Sequence, residues 1–549
     1  MIRPWQLLIL LWIAFLFGPL RTSPLEDVPA EMIGESLLSG QGLDVAPYHD
    51  MGLPAEGTGA GARAERAPAD ATAVHGVLSL PFSAALRVLY PHEQPVRRAR
   101  MAGRVAGAFF AAAAVAVTFA ALARLVDPPL ALLVCLGAAF ASPLYSTASR
   151  SSSPAGVAAL CMASIVWLAL GPGAWRALGR GAAVAALYFL RPTSLLAPLA
   201  LLATVGRGAH PRPDDGIRPL VLGATLAGVL LGLIDDAIAG RHRWGAPDLA
   251  AVAAYLVSPG RGLFVFAPVA LLAVAGLARA RGPTHHARLV RGCALAVAVA
   301  LLEVAGLEQW WGGYGFGPHR LAAYIPLLAL MAAFAPRRLV AWSPLLFVPA
   351  ALLHAAFVFR GGHLWDERRG IDANPEVVWD LRDSAITDVF VGPPPPDTSG
   401  LDPARLLMPL GDHATAATPS AQAPAHGWFA HGWESPEESG VWAVGRETWL
   451  ALALPGHGGY DLSLEASAPV VRGDPQRLEI DVLGERSAAH EFSRGLWEYE
   501  TVRVPLSYRP GPVVVRFRPR HVWLPGKGDV RRCTFFVRRV RLERRTSPP

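Results

Sequence analysis

Apolar residues run in long, nearly unbroken stretches as far as Arg360, and from Gly445 onward they alternate with polar residues in short stretches. The first pattern predicts helices that are apolar on every face, the second predicts strands with one face in a core. Apolar runs lie near 102–123, 128–147, 155–171, 178–191, 193–206, 217–236, 262–279, 289–307, 319–335 and 339–359, with a further one from Pro4 to Leu20. Read as membrane spans, they give an α-helical polytopic membrane protein of about eleven spans, two of them short. Val74 to Tyr90 is moderately apolar but holds His75, Pro81 and Arg87, and fits either a span or a helix lying in the interface. Near the C-terminus, Trp449–Leu454, Arg477–Val482, Val513–Phe517 and Phe535–Val540 alternate between Gly and Pro punctuation, a β-sandwich signature. The expected domains are a transmembrane domain over 1–360 with a first loop over 21–100, an extracytoplasmic linker over 361–425 that is Pro-rich from Gly392 to Thr398, and a β-sandwich over 426–549.

Composition strengthens the membrane expectation: 52% of the 549 residues are hydrophobic and mean hydropathy is +0.33, too apolar for an ordinary soluble chain of this length. The net charge of +7 comes from arginines clustered between apolar runs, as topology signals are, and this excludes a nucleic-acid groove. Cytoplasmic placement of Arg124, Arg176 with Arg180, Arg207 with Arg212 and Arg218, Arg279 to Arg291, and Arg337 with Arg338 puts the N-terminus inside too. Val74–Tyr90 is then interfacial, and the first loop and the β-domain are extracytoplasmic. Met1-Ile2-Arg3 lacks a small-x-small cleavage site after the apolar run that follows it, which predicts an uncleaved first span. Cys135, Cys161, Cys293 and Cys533 show no metal-ligand spacing, so neither a disulfide framework nor a metal site nor a cofactor is expected, with a divalent metal left open.

Candidate chemistry gathers at the expected outer ends of the runs. Trp310-Trp311-Gly312-Gly313-Tyr314-Gly315-Phe316-Gly317-Pro318-His319-Arg320 combines glycines that let backbone pass close to a ligand, aromatic rings suited to an interface or a sugar, and two cations suited to an anionic head group. An aromatic belt with a snorkelling arginine explains the same residues. Arg191 beside Pro192, and Arg261 within Ser258-Pro259-Gly260-Arg261-Gly262-Leu263-Phe264, stand where an arginine either anchors a helix end or meets a phosphate. Glu26 and Asp27 follow the first run directly and are either ordinary loop residues or a base for an attacking hydroxyl. Glu303, within an apolar run, is an acid that needs a partner or a function.

These stretches, in this order, resemble bacterial GT-C class glycosyltransferases, which include the protein O-mannosyltransferases and the lipid A aminoarabinose transferase, in a branch with a C-terminal β-domain. The resemblance rests on Glu26-Asp27-Val28-Pro29-Ala30 with Ser36-Leu37-Leu38, Leu190-Arg191-Pro192-Thr193, Trp244-Gly245-Ala246-Pro247, the Ser258–Phe264 and Trp310–Arg320 stretches, and Asn374-Pro375-Glu376 with Trp379-Asp380. It implies transfer of a sugar from a polyprenyl-phosphate carrier to an extracytoplasmic glycan, lipid or protein acceptor at the bacterial inner membrane. Asp27, with Glu26 beside it, matches the family's catalytic base. Arg191, Arg261, His319, Arg320 and Arg97 would neutralise the carrier phosphate, and Trp310, Trp311 and Tyr314 would line the sugar or acceptor path. The chain departs from the family pattern at Glu31, at Ser151-Ser152-Ser153-Pro154, at Asp235-Asp236 and in the insertion of His319. Two rival expectations are a transporter or flippase for lipid-linked glycans and a non-catalytic glycan-binding membrane protein.

Overall fold

A computed structural model describes residues 2–18, 28–42, 71–93, 95–150, 153–171, 173–190, 196–205, 245–307, 309–312, 315–360, 365, 371, 375–382, 384–390, 414–415, 429–431, 433, 440–444, 447–454, 458–471, 474–482, 485–508, 511–521 and 533–545, and the architecture given is that of these residues. The chain divides into two units, Met1–Pro393 and Pro394–Pro549.

The first unit is helical: α1 (Pro4–Leu16), α2 (Val28–Leu38), α3 (Ala71–Leu89), α4 (Pro95–Leu122), α5 (Pro128–Phe140), α6 (Pro154–Ala169), α7 (Ala174–Leu190), α8 (Leu196–Val205), α9 (Leu249–Val257), α10 (Leu263–Phe266), α11 (Val269–Arg279), α12 (His285–Ala305), α13 (Ile325–Ala332), α14 (Arg337–Trp342), α15 (Pro344–Arg360) and α16 (Ala385–Phe390). A π turn, Leu144–Ala148, follows α5, and 3-10 turns cover His319–Tyr324 and Pro375–Trp379.

Among the described residues one helical stretch, Arg97–Leu122 in α4, is long and apolar enough to cross a membrane, and this corrects the expected count of eleven spans. At four of the expected runs proline is the physical reason, because it lacks an N–H and clashes with the preceding turn. Pro268 separates α10 from α11, Pro326 opens α13, Pro344 opens α15, and Pro143 stands where the 128–147 run leaves α5 for the π turn. The run at 217–236 lies outside the described residues.

Small residues set the helix spacing. On α1 the buried residues Leu7, Leu11 and Phe15 recur every turn, and Phe15 meets Phe140 and Tyr145 at 5.6 and 5.7 Å between ring centres. Where helices cross, glycine removes the side chain: a Cβ at Gly276 of α11 would run into the Met331 carbonyl of α13, and one at Gly292 of α12 would strike Thr204 of α8. All four cysteines are buried and none forms a disulfide, in keeping with a role as small apolar groups. Part of the expected linker belongs to this unit, since Trp365, Ile371, Val378 and Val389 bury in one apolar cluster with Leu353 and Phe357 of α15.

The second unit is built of strands β1 (Ala414–Thr415), β2 (Phe429–His431), β3 (Val441–Val444), β4 (Thr448–Leu454), β5 (Gly458–Ser467), β6 (Arg477–Val482), β7 (Glu485–Glu491), β8 (Glu500–Tyr508), β9 (Gly511–Pro519) and β10 (Cys533–Arg544). They form two antiparallel five-stranded sheets, one ordered β1-β10-β5-β8 with β3 also on β10, the other ordered β2-β4-β9-β6-β7. Alternate residues of both sheets, including Leu450, Leu462, Leu464, Ile480, Val504, Val515 and Phe535, fill one shared core. Trp442 and Trp449 are buried and Trp433 packs against that core, so among the described tryptophans of this unit only Trp497 is exposed. Trp428 and Trp523 lie outside the described residues.

If backbone contact at the α11–α13 crossing holds the helical unit together, Gly276→Val destabilises the purified chain by about 1–3 kcal/mol in thermal unfolding. Gly245→Ala, where a Cβ would meet nothing closer than the Gly306 carbonyl at 3.9 Å, leaves the melting temperature unchanged.

Candidate functional site

The segment from Ser258 to Phe264 and the glycine-rich loop from Trp310 to Arg320 fold against each other. Ser258 ends α9: its carbonyl accepts from the Gly262 N–H at 2.8 Å and its hydroxyl accepts from the Arg261 N–H at 2.9 Å, which curls the backbone and turns the Arg261 side chain inward. The Gly260 N–H donates to the Val378 carbonyl at 3.0 Å, tying the turn to the Pro375–Trp379 segment.

Arg261 is fully buried. Its Nε donates to the Trp311 carbonyl at 3.0 Å, and its Nη1 donates to the carbonyls of Gly315 at 2.6 Å and Gly260 at 3.4 Å. A guanidinium has five donors in a rigid fork and no acceptor, so a ring of backbone carbonyls is one of the few neutral settings that can hold it out of water. From α9, Tyr255 adds a further bond, its hydroxyl donating to the Trp310 carbonyl at 2.6 Å.

Close packing explains the glycines. Gly312 (φ +87°) and Gly317 (φ +63°) occupy left-handed backbone, where a side chain is strained. A Cβ on Gly312 would lie 2.7 Å from Arg320 Nε and 3.0 Å from His319 Nε2, one on Gly315 would lie 2.6 Å from the His319 ring, and one on Gly317 would lie 2.7 Å from Phe266. His319 is therefore wedged between Gly312 and Gly315. Its Nε2 faces the Gly312 carbonyl at 2.9 Å, and since a carbonyl only accepts, Nε2 carries the proton.

The two tryptophans differ. Trp310 is half-buried and meets Trp311 edge-on at 6.0 Å, whereas Trp311 is buried in the cluster with Phe266, Phe316 and Phe357. The structure thus brings Arg261, Trp310, Trp311, His319 and Arg320 together. Arg97 stands apart on the first turn of α4, exposed and ion-paired with Glu93 at 3.1 Å, and no bond among the described residues links it to the loop. Glu26, Asp27, Arg191 and Tyr314 lie outside the described residues, as do Asp235 and Asp236.

Three polar contacts were not foreseen from sequence. Glu303 is buried and, among the described residues, pairs with no arginine; its Oε1 accepts from the Leu196 N–H at 3.1 Å and so caps the start of α8. Arg98 of α4 forms a buried ion pair with Glu35 of α2. His354 of α15, fully buried, donates from Nε2 to the Phe266 carbonyl at 2.6 Å, which leaves Nδ1 to accept from the Ser146 hydroxyl at 2.7 Å. The only sequence signal for His354 is a single polar residue inside an apolar run.

No protein-family model matches the chain, and no curated protein shows significant similarity to it.

Replacing Arg261 by lysine keeps the charge but loses the fork. Arg261→Lys is expected to destabilise the chain by about 3 kcal/mol in thermal unfolding and to speed amide hydrogen exchange across 309–320, because buried carbonyls lose their donors. Unchanged exchange in that segment would remove Arg261 from its role as the clamp.

Proposed function

We propose that the chain is an inverting GT-C class glycosyltransferase that moves a sugar from a polyprenyl-phosphate carrier to an extracytoplasmic cell-envelope glycan, lipid or protein. Its helical unit is embedded in the bacterial plasma membrane with the N-terminus in the cytoplasm, and its β-unit lies outside. The observation that carries this reading is the clamp of Arg261 on the glycine-rich loop. Two stretches that resemble the family, 50 residues apart, meet at one place and present His319 and Arg320 together.

The membrane setting is supported by helices that are apolar outside as well as inside. Ile9, Leu10 and Ile13 of α1, Leu271 and Val274 of α11, and Leu345, Val348 and Leu352 of α15 are exposed, while the opposite faces of the same helices are buried. Water does not favour such outward faces and a hydrocarbon phase does.

In the proposed reaction the acceptor hydroxyl oxygen attacks the anomeric carbon from the face opposite the phosphate. The bond from that carbon to the phosphate oxygen breaks, its electron pair stays on the phosphate, and the hydroxyl proton passes to Asp27, with Glu26 beside it. Positive groups fixed in advance stabilise the charge that grows on the leaving phosphate, a part given to Arg320, His319 and Arg191, with Arg97 nearer the carrier. Arg261 is a positioning residue here, since its Nε and Nη1 already hold the loop's carbonyls. Trp310 and Tyr314 line the sugar or acceptor path, and Trp311 supports them from the core.

A second reading, a non-catalytic glycan-binding protein, draws on Trp497. Its exposed ring stands on left-handed backbone (φ +73°) and is braced edge-on by Trp442 and Phe536 at 5.7 and 5.4 Å.

Mass spectrometry of envelope glycans from a deletion strain distinguishes the two. Under the transferase reading a glycan is lost, the wild-type chain restores it, and Asp27→Asn, present in the membrane at equal amount, restores about a hundredth or less. Full restoration by Asp27→Asn would refute the base assignment.

A further inference from the structure

Trp497 of the β-unit is unfavourable for folding on two counts. Among the described residues it is the only one other than glycine in left-handed backbone (φ +73°), and its ring is 54% exposed. A bulky side chain in that conformation is strained, and a large apolar ring left in water returns little to folding. Both features point to a use for the ring itself.

The ring is held in one place. Trp497 belongs to the loop between β7 and β8, and Glu500 at the start of β8 closes that loop: its Oε1 accepts from the Ser493 hydroxyl at 3.0 Å and from the Arg494 N–H at 2.6 Å. Within the loop the Glu498 N–H donates to the Gly495 carbonyl at 3.1 Å. Phe535 and Val537 of β10 face the shared core, so Phe536 between them faces the other side of its sheet, where it packs with Trp442. Trp497 rests edge-on against both of these rings, and Tyr499 packs on Phe536 at 6.5 Å. An aromatic shelf fixed in this way loses little freedom when a ligand settles on it.

Beside the shelf the same sheet gathers arginine. Val537 and Val540 both reach the core because a bulge inserts Arg538 as an extra residue between Val537 and Arg539. Arg538 lies over the Tyr499 ring at 5.3 Å, and Arg538 and Arg539 face a single carboxylate, Glu465, at 3.8 and 3.6 Å. These separations are longer than a hydrogen bond, and no other carboxylate pairs with either arginine among the described residues. Two partly exposed guanidinium groups against one carboxylate leave an excess of positive charge, with N–H donors directed at solvent.

We infer that the Trp497 loop and the bulge at Arg538 form a binding site for an acidic polysaccharide, in which the C–H face of a sugar ring lies on Trp497 and a uronate carboxylate meets Arg538. The inference deepens the glycan-binding reading of Trp497 given above and stands whether or not the helical unit transfers sugar. A carboxylate takes the guanidinium fork through two oxygens, and a sugar ring offers an apolar face to an aromatic one. A neutral glycan would use the shelf and leave the arginines unmatched. An anionic bilayer would match the arginines but gives no reason for a ring braced by Trp442 and Phe536 on strained backbone. A ligand both cyclic and acidic uses the two parts together.

The test is calorimetric titration of the full chain in detergent with oligogalacturonate and alginate oligosaccharides, with the methyl esters of both, and with vesicles of anionic phospholipid. The wild-type chain binds at least one of the two acids, and binds the matching ester about tenfold more weakly. Trp497→Ala weakens binding of the acid about tenfold or more, and Arg538→Gln lowers it to the level of the ester. Trp342→Ala, at an exposed ring of the helical unit, changes neither. Trp497→Gly, which suits the left-handed backbone, melts no lower than Trp497→Ala and binds no better, so the loss is one of contact and not of folding. Binding of neither acid overturns the site, as does an ester bound as tightly as its acid, or wild-type affinity in a folded Trp497→Ala chain. Binding of the vesicles alone overturns it in favour of a membrane surface. A glycan missing from the deletion strain without oligosaccharide binding removes this site and keeps the transferase reading, and binding without a missing glycan does the reverse.

Discussion

A charge buried in an apolar helical unit must be met by backbone dipoles or by an opposite charge, and the architecture of the first unit depends on how each is met. Leaving such a group unmatched costs more than any one apolar contact returns. Arg261 is met by loop carbonyls, Glu303 by the start of α8, Arg98 by Glu35, and Arg104 by the end of α1. Each match joins elements distant in sequence. The charged residues therefore fix where helix ends and loops lie, while the Ala and Gly surfaces between them fix only how closely the helices pack.

This division explains what could be read from sequence. The alternation at Arg477–Val482 predicts a strand with the bounds observed, and Trp449–Leu454 differs from its strand by one residue. Periodicity and local turn chemistry determine such elements, and both are written in neighbouring residues. Apolar runs were legible as runs but not as helices of a given length, because a proline inside a run ends one helix and opens the next without altering mean hydropathy. The clustering of Arg261 with the glycine-rich loop was legible only as two motifs. That one motif's side chain would meet the other's carbonyls is a tertiary fact. The burial of Trp311 was not legible for the same reason: residue type suits it equally to a sugar path and to the core with Phe316 and Phe357.

The glycine-rich loop shows how a sequence motif can have a structural origin. Gly312, Gly315 and Gly317 are small because Arg320, His319 and Phe266 press against them. The same compression holds His319 to a carbonyl and leaves Arg320 half-buried at the rim. Cations held in place before a ligand arrives stabilise developing charge without first having to reorganise. A loop held this tightly is consistent with an electrostatic role, whereas a loose loop carrying the same residues would not be.

His354 connects this loop to the π turn that follows α5. Its neutral imidazole donates to the Phe266 carbonyl, and the Phe266 ring lies under Gly317; on its other side it accepts from Ser146 within the π turn, and Arg150 follows that turn directly. A π turn inserts an extra residue into helical geometry. Protonating His354 at Nδ1 would reverse that bond, with Nδ1–H donating to the Ser146 hydroxyl oxygen. Among the described residues, His354 thus links the residue that packs under Gly317 to the turn that precedes Arg150.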